Sequence, residues 1–190
     1  MDDYQPKFDI EELEEYAMNV HRKYGNCAQA VTKAVMDFFG IVDDKLFRSM
    51  SGVGGGIATM YGPCSALTGG IVMLGYKYGR GLEDLKAEDG GKSILLERND
   101  FMGKFYKWFE LKFGCVNCKD LRKSWIGVDL DFRIPWQSEM AEQLGLHEEG
   151  CFIVVGKTAK KVAEIMIDED EINRLINKKH KAVVVKSDNC

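Results

Sequence analysis

The sequence predicts an all-α, single-domain helical bundle with a buried glycine-rich helix and a short irregular C-terminal tail. Three observations support this fold class. Apolar residues recur at helical spacing over long stretches. Gly, Asn and Pro stand at the ends of these stretches, where helices start and stop. Hydrophobic residues make up 45% of the 190, enough for one core without cross-links. We expect one helical domain over residues 1–180 and a tail over 181–190.

The first half of the chain predicts two amphipathic helices and one short helix. Ile10 to Tyr24 carries its apolar residues on one face. Asn26 is a favoured N-cap for a second helix, Asn26 to Phe39, and Asp43 to Met50 is long enough for a short third helix. The glycine cluster Gly52 to Gly56 then breaks the pattern and predicts a loop whose backbone comes close to another group.

The second half predicts a buried helix, a long aromatic-rich helix and a long last helix. The buried helix consists almost entirely of small and apolar residues, and its glycines would let other helices approach closely. A short helical turn and a loop that contains Pro135 are expected between the long helix and the last one. In chain order these elements are Pro63 to Tyr78, Gly90 to Phe113, Cys118 to Leu121, the loop Gly127 to Gln137, and Cys151 to about Asn177.

Charge and hydropathy exclude several classes of function. The 26 basic and 30 acidic residues leave a net charge of −4, which gives no electrostatic case for binding nucleic acid or an anionic membrane. No run approaches the roughly 20 apolar residues of a membrane span. The acidic N-terminus lacks the apolar core of a signal peptide. We therefore expect a cytoplasmic protein without a membrane span.

Cysteine carries the strongest chemical signal, with six residues in a chain that needs no disulfide framework. Cys115 and Cys118 form a Cys-x-x-Cys pair. Two sulfurs at this spacing can bind one metal, and the same spacing supports a dithiol–disulfide couple. One pair cannot fill a site with four sulfur ligands, so further ligands would have to come from other parts of the chain.

Three other cysteines are expected at helix starts, namely Cys27, Cys64 and Cys151. The positive end of a helix dipole stabilises anionic sulfur there. Cys190 is the last residue of the polar tail and is expected to be dispensable.

The histidines and the remaining motifs indicate no familiar enzyme class. His21, His147 and His180 are scattered. His21 precedes Cys27 by only six residues, which leaves a ligand role open, but a surface position is expected for it. The glycine cluster lacks the spacing of a dinucleotide or phosphate loop. No Ser–His–Asp or metalloprotease signature is present. Whether the chain is an enzyme is left open by the sequence.

The order of the cysteine blocks resembles the C_GCAxxG_C_C family of redox-active proteins over about Tyr24 to Ala163. The second block departs from the family pattern, because Ser65 stands where the family has glycine after the cysteine. The blocks that carry the resemblance are Tyr24 to Val31, Gly54 to Ile57, Gly62 to Gly70, Cys118 to Leu121, Ile126 to Asp129, and Cys151.

The resemblance implies a redox role and association with oxidoreductases or transporters. The family's four cysteines map onto Cys27, Cys64, Cys118 and Cys151, which leaves Cys115 as an additional thiol. A similar domain occurs in split-Soret cytochromes beside haem, where it carries a non-haem iron–sulfur site. Lys119 follows Cys118 here, so the Cys-x-x-Cys-His motif for covalent haem is missing.

Three hypotheses about function follow. The first is an iron–sulfur protein for electron transfer to a redox partner protein, with Cys27, Cys64, Cys118 and Cys151 as ligands and Cys115 as a further candidate. The second is a metal-free thiol–disulfide protein that uses Cys115 and Cys118, with Cys64 as a partner thiol. The third is a helical interaction module with a structural zinc site or plain buried cysteines. The buried glycine-rich helix could equally serve a homodimer interface.

Overall fold

The computed structural model describes residues 8–168, apart from the side chain of Glu149. These residues form a helical bundle, and their one β-type contact is an isolated bridge between Pro63 and Asn117. No helix within this range has the length and apolar character needed to cross a membrane. In chain order the helices are α1 Ile10–Tyr24, α2 Cys27–Phe38, α3 Asp44–Ser49, α4 Ser65–Tyr78, α5 Lys92–Phe113, α6 Cys118–Ile126, α7 Pro135–Gln143 and α8 Phe152–Ile167.

The local signals for α1 and α2 act as the sequence predicts. A capping box formed by Asp9 and Glu12 starts α1, and Gly25 ends it with φ of 69°. The Asn26 side chain accepts the Gln29 amide at 3.2 Å and caps α2. Because one residue separates Gly25 from α2, the two helices form a tight hairpin. The predicted bounds of both helices are confirmed to within one residue.

Glycine contacts explain how closely the core helices pack. The helix pair α1 and α8 has the most extensive contact, and α2 packs against α4. A Cβ atom on Gly156 would lie 2.7 Å from the Glu14 carbonyl oxygen. One on Gly69 would lie 2.9 Å from the Ala28 carbonyl oxygen. The prediction of a buried glycine-rich helix that admits its neighbours is therefore confirmed, and those neighbours belong to the same chain.

Two predicted boundaries were wrong, and a third is not tested. The loop assigned to 127–137 ends early, because Pro135 occupies the first turn of α7, where its missing N–H costs nothing. The short turn that begins at Cys118 continues to Ile126 as a full helix. Residues 169–190, which include the predicted end of the last helix and the predicted tail, lie outside the described residues.

The predicted start of the last helix is confirmed to within one residue, because Cys151 is the N-cap of α8. The sequence did not reveal that Cys151 is also the final residue of a wide π-helical turn, His147–Cys151, that leads into α8 without a break. Gly150 in this turn contacts Trp125, and a Cβ atom there would lie 2.2 Å from the indole ring. Turns of this type often occur at functional sites. The π-turn thus sets the position of Cys151 relative to α6.

Candidate functional site

Four cysteines from separate parts of the chain line one small pocket at the end of the bundle. All four are free thiols. Cys64 is buried, whereas the other three are partly exposed. The pocket encloses about 20 Å³, room for about one water-sized group. Its lining is Cys27, Cys64, Cys118, Cys151, Ser65, Ala66, Leu121, Arg122, Trp125 and Val154.

Three of these cysteines stand at helix N-termini. Cys27 is the first residue of α2, Cys118 is the first residue of α6, and Cys64 is the N-cap of α4. The positive end of a helix dipole therefore lies beside each of these three sulfurs. Cys151 lacks this feature, contrary to the expectation, because it lies inside a helical segment.

A backbone bridge fixes the distance between two of the helix starts. The Cys64 amide donates to the Val116 carbonyl oxygen at 2.7 Å. The Cys118 amide donates to the Gly62 carbonyl oxygen, also at 2.7 Å. Both bonds belong to the isolated antiparallel bridge of the fold. Because backbone hydrogen bonds hold them, Cys64 and Cys118 are preorganised as neighbours.

A loop of unusual backbone conformation covers Cys118. Residues 55–59 all have positive φ, and Ile57, at 65°, is a β-branched residue in a conformation that such residues rarely adopt. Ser65 anchors this loop, since its hydroxyl accepts the Gly56 amide at 2.8 Å and donates to the Val53 carbonyl oxygen at 2.6 Å. A Cβ atom on Gly56 would lie 2.8 Å from the Cys118 Cβ. The predicted close approach of the glycine-rich loop is thus directed at Cys118.

Burial and the proximity of other sulfurs raise the pKa of three pocket thiols, those of Cys27, Cys64 and Cys118. Burial raises the pKa of the Cys64 thiol, and the first-turn amides of α4 only partly oppose this rise. Burial raises the pKa of Cys118 to about 11, although the nearby Arg122 acts in the opposite direction. Two causes raise the pKa of Cys27 well above its usual value: the larger is a hydrogen bond with Cys151, and the second is burial. Deprotonating several of these thiols therefore requires a compensating positive charge.

His21 is buried beside the site, which corrects the expectation that it lies at the surface. Its side chain is 5% exposed, and its Nε2 lies 3.3 Å from the Cys27 sulfur. Its Nδ1 is buried without a hydrogen-bond partner in the described part of the chain. The ring packs edge-on against Phe152, 5.0 Å between centroids. The His21 ring therefore places a nitrogen atom within hydrogen-bonding distance of one pocket sulfur, that of Cys27.

Sequence reasoning did not identify Arg122, which is the cationic residue of the pocket lining. The side chain is 5% exposed and lies next to the Cys118 sulfur. Spacing could have revealed it, because Arg122 follows Cys118 by four residues and shares its face of α6.

One candidate ligand predicted from the sequence, Cys115, does not line the pocket. Cys115 is buried in the main hydrophobic core and is disulfide-bonded, whereas Cys118 is free, so the two are not bonded to each other. Cys190 lies outside the described residues. The structure thus separates the Cys-x-x-Cys pair and brings Cys118 together with Cys27, Cys64 and Cys151.

The donor set determines which chemistry the pocket can support. Four thiols in an apolar, partly buried pocket suit soft metals and reversible oxidation. As the side chains lie, no group of three or more His, Cys, Asp or Glu residues between positions 8 and 168 could hold a metal ion. The sulfurs line a common pocket without converging on one point.

Comparison with known proteins gives one match. The family model described as "Putative redox-active protein (C_GCAxxG_C_C)" matches residues 25–165, which is most of the chain. No curated protein and no solved structure matches the chain.

Proposed function

Because the chain belongs to the C_GCAxxG_C_C family of redox-active proteins, we propose that its pocket holds an iron–sulfur cluster for electron transfer. The observation that carries the proposal is the meeting of four free thiols in one pocket. Cys27, Cys64, Cys118 and Cys151 would be the ligands. When bound, the cluster would supply one-electron chemistry that thiols alone lack.

Redox chemistry favours a cluster over a single zinc ion. Zinc has no redox chemistry of its own, and four sulfur ligands at about 2.3 Å would have to surround one point, which the described side chains do not do. The matching family is described as redox-active, and iron–sulfur clusters bound by thiolates undergo reduction and oxidation. The structural zinc hypothesis is therefore the weaker of the two metal hypotheses.

The fit to a cluster requires a limited rearrangement of side chains. The pocket volume is close to that of one water-sized group, which is smaller than a cluster. Binding a cluster would therefore require Cys27, Cys118 and Cys151, which are less buried than Cys64, to change side-chain rotamer while the backbone stays in place. Cys64 is buried and tied to the bridge, and it would act as the fixed ligand.

The protein surroundings would supply the other functions of the site. Helix N-termini at three ligands favour the negative charge of thiolates. The loop over Cys118 and the Trp125 side chain limit contact with water. We further propose a cytoplasmic location, because the four pocket thiols are free and would persist in a reducing compartment, even though Cys115 is disulfide-bonded. The partner of this chain in electron transfer would be another redox protein. That the chain forms a homodimer stays a prediction.

A second candidate function rests on one specific contact. Cys27 and Cys151 share a hydrogen bond, so these two sulfurs are the best placed to form a disulfide. A metal-free thiol–disulfide couple would then use Cys27 and Cys151 instead of the Cys115 and Cys118 predicted from spacing. Mild oxidation of metal-free protein, followed by alkylation and peptide mass spectrometry, identifies the pair that reacts.

Elemental analysis tests the iron–sulfur proposal. The protein is purified without oxygen, reconstituted with iron and sulfide, desalted, and analysed for iron, zinc and acid-labile sulfide. We expect bound iron and sulfide in similar amounts, a brown colour, and loss of both when Cys64 is replaced by serine. The matched control is Cys115→Ser, which should retain both. Colourless protein without iron after reconstitution would exclude the cluster.

A further inference from the structure

Arg122 places a full positive charge inside the protein without a carboxylate partner. Its side chain is 5% exposed, and no ion pair joins it to any acidic side chain that the structure describes, a set that excludes Glu149. The nearby acid Asp131 already pairs with Arg133, whose Nη2 lies 2.7 Å from Oδ2. A buried charge is costly unless a charge of opposite sign accompanies it. Arg122 therefore requires a source of negative charge nearby.

The immediate neighbours of Arg122 orient it without neutralising it. The guanidinium donates through Nη2 to the Leu130 carbonyl oxygen. It also lies 3.3 Å from the Phe132 ring centroid and 4.7 Å from that of Tyr61. Aromatic rings and a carbonyl oxygen attract a cation through partial charges only. The Nε atom remains buried without a partner in the described structure.

The remaining neighbour of Arg122 is the cysteine pocket. Arg122 lines this pocket and contacts the Cys118 sulfur. Lys119, another cation of α6, pairs with Asp129 at the surface instead. The negative charge that Arg122 lacks can therefore come from thiolates, or from an anionic group that they hold.

We propose that Arg122 is the counter-ion of the redox site and raises the reduction potential of that site. This inference rests on the proposed function in that it assumes a redox site at the four cysteines. Arg122 does not itself react. It is a positioning residue whose fixed charge stabilises whichever state of the site is more negative.

Electron and charge balance give the sign of the effect. A one-electron donor that reduces the site loses one electron, and the site becomes one unit more negative without taking up a proton. Arg122 attracts the added charge at short range in a poorly screened environment, so the reduced state gains stability. In a metal-free couple, two electrons cleave one disulfide into two thiolates, which take up protons from solvent where burial raises the thiol pKa. The same attraction then favours the reduced state through the sulfur that keeps its negative charge.

The test compares the midpoint potentials of variants of the full chain. R122M and R122Q remove the charge, and Gln keeps a donor for the Leu130 carbonyl oxygen. R122K keeps the charge without the planar guanidinium. The matched control is R133M, which removes an exposed arginine that is already paired with Asp131 and faces the same Tyr61 ring. Each protein is titrated optically against redox mediators, and circular dichroism checks its fold.

We expect both neutral variants to lower the equilibrium constant for reduction at least about tenfold, which is 59 mV for one electron. R122K should restore most of the potential, and R133M should leave it nearly unchanged. High salt should not remove the effect, because Arg122 is buried. Folded R122Q or R122M with the wild-type midpoint would overturn the proposal. If neither neutral variant folds, R122K decides the question, because it keeps the positive charge. An R122K midpoint about 59 mV or more below that of the wild type would then also overturn the proposal.

The experiment separates the two proposals. If wild-type protein holds no iron but shows a thiol–disulfide transition, the cluster proposal fails, and the same variants test Arg122 on that couple. If the cluster forms and its midpoint potential does not change when the charge at position 122 is removed, only the counter-ion proposal fails. If wild-type protein shows no redox transition of either kind, both fail.

Discussion

Cys64 and Cys118 are neighbours because their backbones are joined, with each cysteine donating its amide across the antiparallel bridge. The bridge holds the N-cap of α4 against the first residue of α6. The positions of these two sulfurs therefore depend on main-chain hydrogen bonds and on the loop packed beside them. The other two cysteines approach from α2 and from the π-turn before α8.

Gly56→Ala should disrupt the site, because the new Cβ would meet the Cys118 Cβ and the Gly62 backbone, each at 2.8 Å. The positive φ of Gly56 adds a further cost. We expect a loss of unfolding free energy on the order of 3 kcal/mol, from overpacking and left-handed backbone together. Chemical denaturation measures it. Gly103→Ala is the control, since Gly103 lies in α5 with open space around it, and it should be neutral or slightly stabilising.

Ser65→Ala should release the loop over Cys118, because it removes both hydrogen bonds of the serine hydroxyl. We expect a loss of about 1–3 kcal/mol, since the buried Gly56 amide and Val53 carbonyl are left unsatisfied. Hydrogen exchange of the Gly56 amide should accelerate. Ser124→Ala removes a hydroxyl bonded only within α6 and should leave that exchange rate unchanged. Equal protection of Gly56 in wild type and Ser65→Ala would show that the hydroxyl does not anchor the loop.

His21→Phe should separate stability from redox tuning. Phenylalanine keeps the edge-on packing against Phe152 and removes a buried nitrogen that lacks a partner, so the melting temperature should hold or rise. In wild-type protein the contact between His21 Nε2 and the Cys27 sulfur stabilises the more negative reduced state, and the variant loses this contact. We expect the midpoint potential to fall by about 40 mV for one electron, equivalent to about 1 kcal/mol. His147→Phe is the control, and an unchanged potential in both variants would contradict the assigned contact.

The stability of reduced, metal-free protein should depend on pH in the alkaline range. The pKa of Cys118 is about 11 in the folded chain, against about 9 for an ordinary thiol. A raised thiol pKa means that folding favours the protonated form. The free energy of unfolding should therefore be level below pH 9, on this account, and decline between about pH 9 and pH 11. Denaturant titrations across this range should show a shallower decline for Cys118→Ser, and an identical decline would remove Cys118 as a cause.

Local signals in the sequence predicted much of the fold. Gly25 and Asn26 mark the boundary between α1 and α2, and both act there as expected. The apolar, glycine-rich pattern of α4 predicted its burial, and Gly69 accounts for its close contact with α2. These features depend on near neighbours in the chain, which is why periodicity and capping residues reveal them.

The parts of the site that escaped prediction depend on contacts between distant residues. No local sequence pattern predicts the backbone bridge between Pro63 and Asn117 or the π-turn that ends at Cys151. The burial of His21 results from packing against α8, which the spacing of its own helix does not reveal. Arg122 is the exception. If α6 had been predicted to extend to Ile126, the spacing of four residues would have placed Arg122 on the same helix face as Cys118.

Anomalous diffraction at the iron absorption edge tests the central claim most directly. Crystals are grown from anaerobically reconstituted protein, and the iron positions are located independently of any assumed ligands. The account predicts anomalous peaks in the pocket within bonding distance of the sulfurs of Cys27, Cys64, Cys118 and Cys151. Iron bound elsewhere, or a pocket with four unligated thiols in crystals whose protein contains stoichiometric iron, would contradict it.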